Sequence, residues 1–214
     1  MAYKNIMFDL DGTLTDSSEG INKSVLYVYD KMGIAPPSKE ELRTFIGPPL
    51  GDSFTRHGIA ESDRDKCVAI FRERYNTIGK FENVPYPGMI ELLERLKNAG
   101  FKLYVATSKP EKTALEVLSH FDMVKYFDEI AGATMDRSRE KKEDVIAYLL
   151  EKTGGNKDSV VMIGDSIYDV VGAKEFGIPC IGVSWGFGDL IEMKSGGAVA
   201  IVDTMDELFD ALNR

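Results

Sequence analysis

The apolar residues of this 214-residue chain recur with two different spacings, and the change between them divides the sequence into two kinds of region. From about residue 17 to residue 80, apolar residues recur every three or four positions, which is typical of amphipathic helices. The first of these helical faces comprises Ile21, Val25, Val28 and Met32. Before residue 10 and after residue 85, short apolar runs are typical of buried strands, and the later runs alternate with further helical patterns.

Capping patterns and helix breakers mark the ends of the predicted helices in the helical region. Gly33 ends the first helix, and Ser38 followed by Glu41 forms a capping-box pattern that begins the second. The breaker sequence Ile46-Gly47-Pro48-Pro49 ends that helix, and a short third helix follows. A longer helix is predicted from about residue 62 to residue 78, with one apolar stripe formed by Cys67, Phe71, Tyr75 and Ile78. No strand is predicted in this region.

Strands and helices alternate through the rest of the chain. The predicted strands cover about residues 102–106, 129–131, 160–163, 180–183 and 199–202. This alternation predicts a parallel sheet with helices on both faces, and the apolar run at residues 3–9 supplies one more strand. The predicted fold class is therefore α/β. We expect a Rossmann-like parallel-sheet core of residues 1–15 and 85–214, with an all-helical cap domain inserted at residues 16–84.

The composition is that of an ordinary soluble globular protein, with 43% hydrophobic and 29% charged residues. No apolar run is long enough to span a bilayer, and the N-terminus has no basic-then-apolar signal pattern. The net charge of −9 argues against binding to nucleic acid polymers or anionic membranes, but it allows a small anionic substrate. Cys67 and Cys180 lie far apart without metal-ligand spacing, so both are expected to be buried, reduced thiols. We expect a cytoplasmic protein, either a monomer or a homodimer.

Three of the predicted strands end in residues that can carry chemistry. These residues are Asp9 and Asp11, then Thr107 and Ser108, and then Asp165 with Asp169 one helical turn later. Asp9 and Asp11 share one face of an extended strand, and their charges repel unless a cation or a proton compensates them. In open parallel sheets, ligands bind beyond the carboxyl ends of the strands. Each motif alone also fits helix capping, but together they predict one active site at that edge of the sheet.

The residue types at these strand ends suit phosphoryl transfer. Carboxylates without His or Cys form an all-oxygen site, which favours Mg²⁺ over zinc, and a Thr hydroxyl suits a phosphate oxygen. Asp9 could attack phosphorus to give an aspartyl-phosphate, and Asp11 could protonate the leaving oxygen and later deprotonate the hydrolytic water. So many negative groups also need a fixed cation. We expect one lysine of the charged run from Arg137 to Lys142 to point inward.

Taken together, these motifs resemble those of the haloacid dehalogenase-like (HAD) superfamily. The four family motifs occur in the family's order in Asp9-Leu10-Asp11-Gly12-Thr13, Thr107 or Ser108, Lys142, and Gly164-Asp165-Ser166-Ile167-Tyr168-Asp169. The match covers essentially the whole chain. The inserted helices resemble the cap of the subgroup that contains phosphoglycolate phosphatases and β-phosphoglucomutases. One departure is Glu143, which stands where many members have a proline directly after the motif lysine.

The resemblance implies a role for each motif residue. Asp9 is implied as the nucleophile, Asp11 as the general acid/base, and Lys142 rather than Lys141 as the lysine that neutralises charge. The residues expected to contact the substrate phosphate are Thr107, Ser108, Gly12 and Lys109. The resemblance also implies Mg²⁺ held by the Asp9 carboxylate, the Asp11 backbone carbonyl and Asp165, with Asp169 binding directly or through water.

Two residues of the predicted cap are candidates for substrate specificity. Gly47 lies in Ile46-Gly47-Pro48-Pro49-Leu50, which resembles the substrate-facing loop of phosphoglycolate phosphatase-like and 5′-nucleotidase-like members. Arg43 lies one turn earlier and could meet an anionic group of the substrate. A plain helix-breaking loop with an exposed arginine explains the same residues without any substrate contact.

The predicted function is that of a Mg²⁺-dependent phosphomonoester hydrolase acting on a small phosphorylated metabolite of the phosphoglycolate or nucleoside monophosphate type. Asp11 favours phosphate chemistry, because dehalogenases of the family generally lack the second acid. A phosphosugar mutase of the β-phosphoglucomutase type is the alternative enzyme, since it uses the same aspartyl-phosphate. A receiver-type signalling domain also has acids, a hydroxyl and a lysine around a parallel sheet, but it is much shorter and has no helical insertion.

Overall fold

A computed structural model of the chain describes residues 3–136, 138–154 and 157–213. Within these residues the strands are β1 (Asn5–Phe8), β2 (Thr15–Asp16), β3 (Val84–Pro85), β4 (Lys102–Pro110), β5 (Glu129–Ala133), β6 (Val160–Gly164), β7 (Cys180–Val183) and β8 (Ala200–Val202). The α-helices are α1 (Ser18–Met32), α2 (Lys39–Arg43), α3 (Leu50–Arg56), α4 (Arg64–Tyr75), α5 (Met89–Asn98), α6 (Glu111–His120), α7 (Lys142–Lys152), α8 (Ile167–Lys174), α9 (Leu190–Gly196) and α10 (Met205–Leu212).

Six of the strands form one parallel sheet in the order β5-β4-β1-β6-β7-β8. Within it, Phe8 of β1 pairs with Val105 of β4 on one side and with Ile163 of β6 on the other. The chain builds β4 and β5 outward from β1 and then returns to place β6, β7 and β8 on the other side. The strand order therefore reverses next to β1, and ligands bind in the crevice beyond such a point. The predicted α/β fold with a parallel sheet is confirmed.

Apolar side chains on the two faces of the sheet form two separate layers. Successive residues of β1 alternate between them, since Ile6 and Phe8 belong to one cluster and Met7 to the other. Helices α5, α6 and α10 contribute to the first layer, and α7, α8 and α9 to the second. The side chains of Ile6, Met7 and Phe8 are fully buried, so the residues that follow this strand start from a fixed position.

Helices α1 to α4 bury their apolar faces against one another in a third cluster, which includes Val25, Phe54 and Phe71. As predicted, Ser38 and Glu41 form a capping box at the start of α2. The short antiparallel pair of β2 and β3 connects the two ends of this helical segment. The division of the chain into a core domain and a cap domain at residues 16–84 stays a prediction.

The structure differs from the sequence prediction at several element boundaries. Helix α4 ends at Tyr75, and Ile78 is 56% exposed instead of lying on the apolar stripe. Helix α2 ends at Arg43, because single turns rather than a continued helix lead on to Gly47. Strands β2 and β3 and helix α9 were not predicted from the sequence. The two strands have two residues each, which is too few to show a periodicity, and Met193 is the only buried apolar side chain of α9.

Cys67 and Cys180 are buried free thiols, as expected from their spacing. Burial raises the pKa of the Cys180 thiol well above its usual value, so this thiol stays protonated near neutral pH. Among the described residues, no helix combines the length and the apolar character that crossing a membrane requires.

Candidate active site

Three buried carboxylates meet at the carboxyl end of the central strands. Asp9 directly follows β1 and Asp165 directly follows β6, so the pairing of these strands places the two residues side by side. Asp169, in the first turn of α8, joins them. One oxygen atom from each carboxylate lies within 4.8 Å of the other two, and the residues are 5%, 3% and 0% exposed. The fold therefore brings the first and last predicted motifs into one cluster.

Lys142, the first residue of α7, neutralises part of this charge. Its Nζ atom lies 2.9 Å from Oδ1 of Asp9 and 2.8 Å from Oδ1 of Asp169, and it donates to the backbone oxygen of Ala106 at 2.9 Å. The side chain of Lys141 is 72% exposed and lies 3.9 Å from Glu143. Of the two candidate lysines, the structure thus places Lys142 at the carboxylates.

Among the described residues, the rest of the charged run before α7 does not reach the carboxylate cluster. Arg139 pairs with Glu111 and donates to the backbone oxygen of Gly132 at 2.7 Å. Arg137 lies outside the described residues. Among the described residues of this run, Lys142 is therefore the functional candidate.

The carboxylates hold more negative charge than one ammonium group compensates. Burial raises the pKa of Asp9 to about 6, against the attraction of Lys142 and with a further contribution from Asp169. Burial, together with the charges of Asp169 and Asp9, raises the pKa of Asp165 to about 8. Burial disfavours the charged form of Lys142 and so lowers its pKa. The negative charges of Asp169 and Asp9 outweigh this effect and hold the pKa of the lysine above its usual range. The cluster is therefore suited to receive a cation.

The donor set and its orientation fit a hard divalent cation. All three groups are carboxylates, the ligand type that Mg²⁺ prefers over softer nitrogen and sulfur ligands. Asp165 is oriented by the Thr13 hydroxyl, which donates at 3.3 Å, and by the backbone N–H of Phe187, which donates at 2.7 Å. Asp169 accepts from the backbone N–H and hydroxyl of Ser166 at 3.1 and 2.8 Å. Such outer contacts fix metal-binding carboxylates in place.

Two glycines let the backbone approach Asp165 closely. Gly12 has a φ of +82°, and a Cβ atom there would lie 2.2 Å from Oδ2 of Asp165. A Cβ atom at Gly186 would lie 2.2 Å from the Cβ of Asp165. The N–H of Gly12 donates to the backbone oxygen of Thr15 at 2.9 Å, so its visible role is to make room rather than to supply a free donor. Gly186 was not a sequence candidate.

Asp11 lies apart from the cluster and has its own cation. Nζ of Lys109 lies 2.6 and 2.7 Å from the two carboxylate oxygens of Asp11, and it lies 5.1 Å from the ring centroid of Tyr75. Burial disfavours the charged form of Lys109 and so lowers its pKa. The interactions with Asp11 and Tyr75 outweigh this effect and hold the pKa of the lysine above its usual range. The ammonium group is thus engaged with Asp11, and a phosphate contact of Lys109 stays a prediction.

The hydroxyl residues lie at the end of β4, across from the carboxylates. Thr107 is 1% exposed, and its Oγ1 atom accepts from the backbone N–H of Lys109 at 3.2 Å. Thr107 and Ser108 line the same cleft as Asp9 and Asp11. Their position near the two acids is the one expected from the strand order.

The cleft runs between the end of the sheet and residues of α1, α3 and α4. Gly47 lines it, whereas Arg43 is exposed and does not line it. One side of this cleft was not predicted from the sequence. It is formed by residues of α4 and the position after it: Arg64, Val68, Phe71, Arg72, Tyr75 and Asn76. A signal was present, because Arg72 stands directly beside the predicted apolar stripe, one turn before Tyr75.

Residues 6–183 match the family model described as haloacid dehalogenase-like hydrolase. The chain is 42% identical to a 5′-nucleotidase of Pseudomonas aeruginosa, over 91% of this chain and 89% of that protein. It is also 39% identical to tyrosine-protein kinase PtkA of Mycobacterium tuberculosis, over 97% of this chain and 72% of that protein.

The fold also matches solved structures along its full length. The crystal structure of a predicted phosphatase from Clostridium acetobutylicum superimposes with a TM-score of 0.94, at 43% identity and covering 99% of both chains. This agreement extends over the sheet and the helices α1 to α4, since no large part of either chain is left out.

Proposed function

The chain belongs to the haloacid dehalogenase-like hydrolase family, and we propose that it is a metal-dependent phosphatase that hydrolyses small phosphomonoesters through an aspartyl-phosphate. The observation that carries this proposal is the separation of two acids at the end of β1. Asp9 belongs to a buried cluster with Lys142 and two more carboxylates, whereas Asp11 stands apart beside Lys109. Two acids in different surroundings suit two different roles.

Asp9, Asp165 and Asp169 are the residues that would hold the metal, and their all-oxygen donor set suits Mg²⁺. When bound, the metal supplies positive charge that offsets the charge of the phosphoryl group and the carboxylates. Lys142 contributes a fixed positive charge between Asp9 and Asp169 in the same cluster.

In the first step, a carboxylate oxygen of Asp9 attacks phosphorus while the ester P–O bond breaks. Asp11 gives its proton to the departing oxygen, so the alcohol leaves neutral. The hydroxyl groups of Thr107 and Ser108 donate to phosphate oxygens from the end of β4. The phosphoryl group is then bonded to Asp9.

In the second step, a water molecule attacks the same phosphorus and gives a proton to the Asp11 carboxylate. The bond between Asp9 and phosphorus breaks, and inorganic phosphate leaves. The ion pair with Lys109 supports this role, because it holds the Asp11 carboxylate in one orientation at the end of β1.

The substrate class that we propose is a small phosphorylated metabolite, of the phosphoglycolate or nucleoside monophosphate type. The cleft supports a small substrate because residues of α1, α3 and α4 line the side of it that lies opposite the end of the sheet. We propose that residues 16–84 act as a cap domain that covers the substrate and excludes water during transfer.

A panel assay tests the proposal. The protein is incubated with Mg²⁺ and with p-nitrophenyl phosphate, 2-phosphoglycolate, nucleoside monophosphates and sugar phosphates, and released phosphate is measured. We expect multiple turnovers per enzyme molecule that depend on added Mg²⁺. Isomerisation of a hexose phosphate without phosphate release from any compound would favour the mutase instead. Transfer to tyrosine without phosphate release would also contradict the proposal.

A further inference from the structure

Helix α4 runs along the cleft from the catalytic acids toward the far end of the substrate space. Its last residue, Tyr75, lies against Lys109, and Lys109 forms an ion pair with Asp11. Arg72 lies one turn earlier on the same face, about 4.5 Å farther along the helix axis. Both residues line the cleft. Arg72 therefore lies one helical turn farther along the cleft from Lys109 and Asp11 than Tyr75 does.

The guanidinium group of Arg72 carries a charge that no described residue pairs. Arg72 is half-buried, and within the described part of the chain it has neither a hydrogen bond nor an ion pair. Its neighbour Arg74, by contrast, donates to both carboxylate oxygens of Glu82 at 2.7 and 3.0 Å. A half-buried charge without a partner carries a desolvation cost, which a bound anion removes.

The other cations at the cleft already have acidic partners. Arg64 lies 2.6 Å from Oδ1 of Asp52 and 3.3 Å from Oε1 of Glu61. Lys109 is bonded to both oxygens of Asp11. Among the described cleft residues, Arg72 is thus the cation left without a carboxylate.

We infer that Arg72 binds a second anionic group of the substrate, a carboxylate or a second phosphate, at the end away from the phosphoryl group that is removed. This inference rests on the proposed phosphatase function and narrows its substrate class to phosphomonoesters that carry a further oxyanion. A guanidinium group can bind either oxyanion through two parallel hydrogen bonds, because its fork of N–H donors matches a pair of carboxylate or phosphate oxygens. Phe71 and Val68 on the same side of the cleft add apolar surface for the carbon skeleton between the two charges.

Matched substrate pairs test this inference. One pair is 2-phosphoglycolate and 2-hydroxyethyl phosphate, in which a neutral hydroxymethyl group replaces the carboxylate. The other is adenosine 3′,5′-bisphosphate and adenosine 5′-monophosphate, which differ by a phosphate. The quantity measured is the ratio of kcat/KM within each pair, because a general loss of activity cancels in that ratio. Arg72→Met removes the charge at nearly constant length, and Lys66→Met, an exposed lysine of α4 outside the cleft lining, is the matched control.

We expect the wild-type protein to prefer the doubly charged member of at least one pair. The preference falls by about 10-fold or more in Arg72→Met, as expected for a lost charge-assisted hydrogen bond, and is unchanged in Lys66→Met. The pair that responds identifies the second group as a carboxylate or a phosphate.

Two outcomes overturn the inference while leaving the proposed phosphatase in place. One is hydrolysis of p-nitrophenyl phosphate without a preference in either pair. The other is an equal loss for both members in Arg72→Met, which would assign Arg72 to the transferred phosphate or to the fold. If no phosphomonoester is hydrolysed, the phosphatase proposal fails. The binding of the same compounds to wild type and Arg72→Met, measured by calorimetry, then tests whether Arg72 binds the second anionic group. Equal affinities of the two proteins would reject that inference.

Discussion

The ammonium nitrogen of Lys142 lies 2.9 Å from Oδ1 of Asp9, and both side chains are almost completely buried. Asp9 directly follows β1 and Lys142 begins α7, so two distant segments meet in a single ion pair. The same ammonium group also contacts Asp169. Lys142 therefore links the acid that we propose as nucleophile to a carboxylate that we propose as metal ligand.

Lys142→Met is expected to damage both stability and activity. The substitution leaves two buried carboxylates without their cation, which typically costs about 3–5 kcal/mol in the free energy of unfolding. Urea denaturation and phosphate release are the measurements. Lys141→Met is the matched control, because that side chain is 72% exposed. Equal stability of the two variants would contradict the placement of Lys142.

Asp11→Asn is expected to lower kcat by about 10²- to 10⁴-fold, because it removes the proposed proton donor and acceptor. With p-nitrophenyl phosphate, whose leaving group needs little protonation, the loss falls mainly on the second step. The phosphorylated enzyme then accumulates, and a rapid-quench experiment shows a burst of p-nitrophenol. A variant that turns over at the wild-type rate would remove Asp11 from the mechanism.

Gly12→Ala is expected to weaken Mg²⁺ activation, because the new Cβ would lie 2.2 Å from Oδ2 of Asp165. The control is Gly58→Ala, where φ is +85° but no atom lies within 4 Å of a Cβ. Both variants lose about 1 kcal/mol of stability from the left-handed backbone. In a titration of activity against Mg²⁺, only Gly12→Ala should need a higher concentration, and equal curves for the two variants would count against the close approach.

Glu82 is expected to stabilise the protein in a pH-dependent way. Hydrogen bonds from Arg74, followed by Lys23, lower the pKa of Glu82 from 4.5 to about 2. A depressed carboxyl pKa gives stability that is present above about pH 4.5 and is lost as the pH falls toward 2. The difference in the free energy of unfolding between wild type and Glu82→Gln, measured by urea denaturation, should therefore be largest at pH 7 and clearly smaller at pH 3. A difference that is the same at both pH values would contradict this ion pair.

The parts of the fold that were predictable from the sequence are those in which one local pattern sufficed. The alternation of apolar runs and helical faces predicts the parallel sheet, and the spacing of Ser38 and Glu41 predicts the capping box at the start of α2. The strand ends also predict that Asp9 and Asp165 are neighbours. These features follow from periodicity and from the topology of parallel sheets.

The contacts that sequence analysis missed depend on how separate elements meet. The pair of Lys109 with Asp11 arises where β4 shifts its register against β5 between Ala106 and Pro110, and no local pattern specifies that bend. The position of Arg72 depends on the way α4 packs beside the sheet. Arg43 was the more obvious arginine in the sequence, yet it is exposed at the end of α2 and lies outside the cleft lining.

The most direct test of the account is phosphorylation of Asp9. The wild-type protein and Asp9→Asn are mixed with p-nitrophenyl phosphate and Mg²⁺ and quenched in acid, and the phosphorylated residue is located by mass spectrometry. We predict a phosphoryl group on Asp9 of the wild type, and in Asp9→Asn no phosphorylation, an intact fold by circular dichroism and a loss of kcat by about 10³-fold or more. Near-normal turnover of Asp9→Asn, or a phosphoryl group on another residue, would contradict the account.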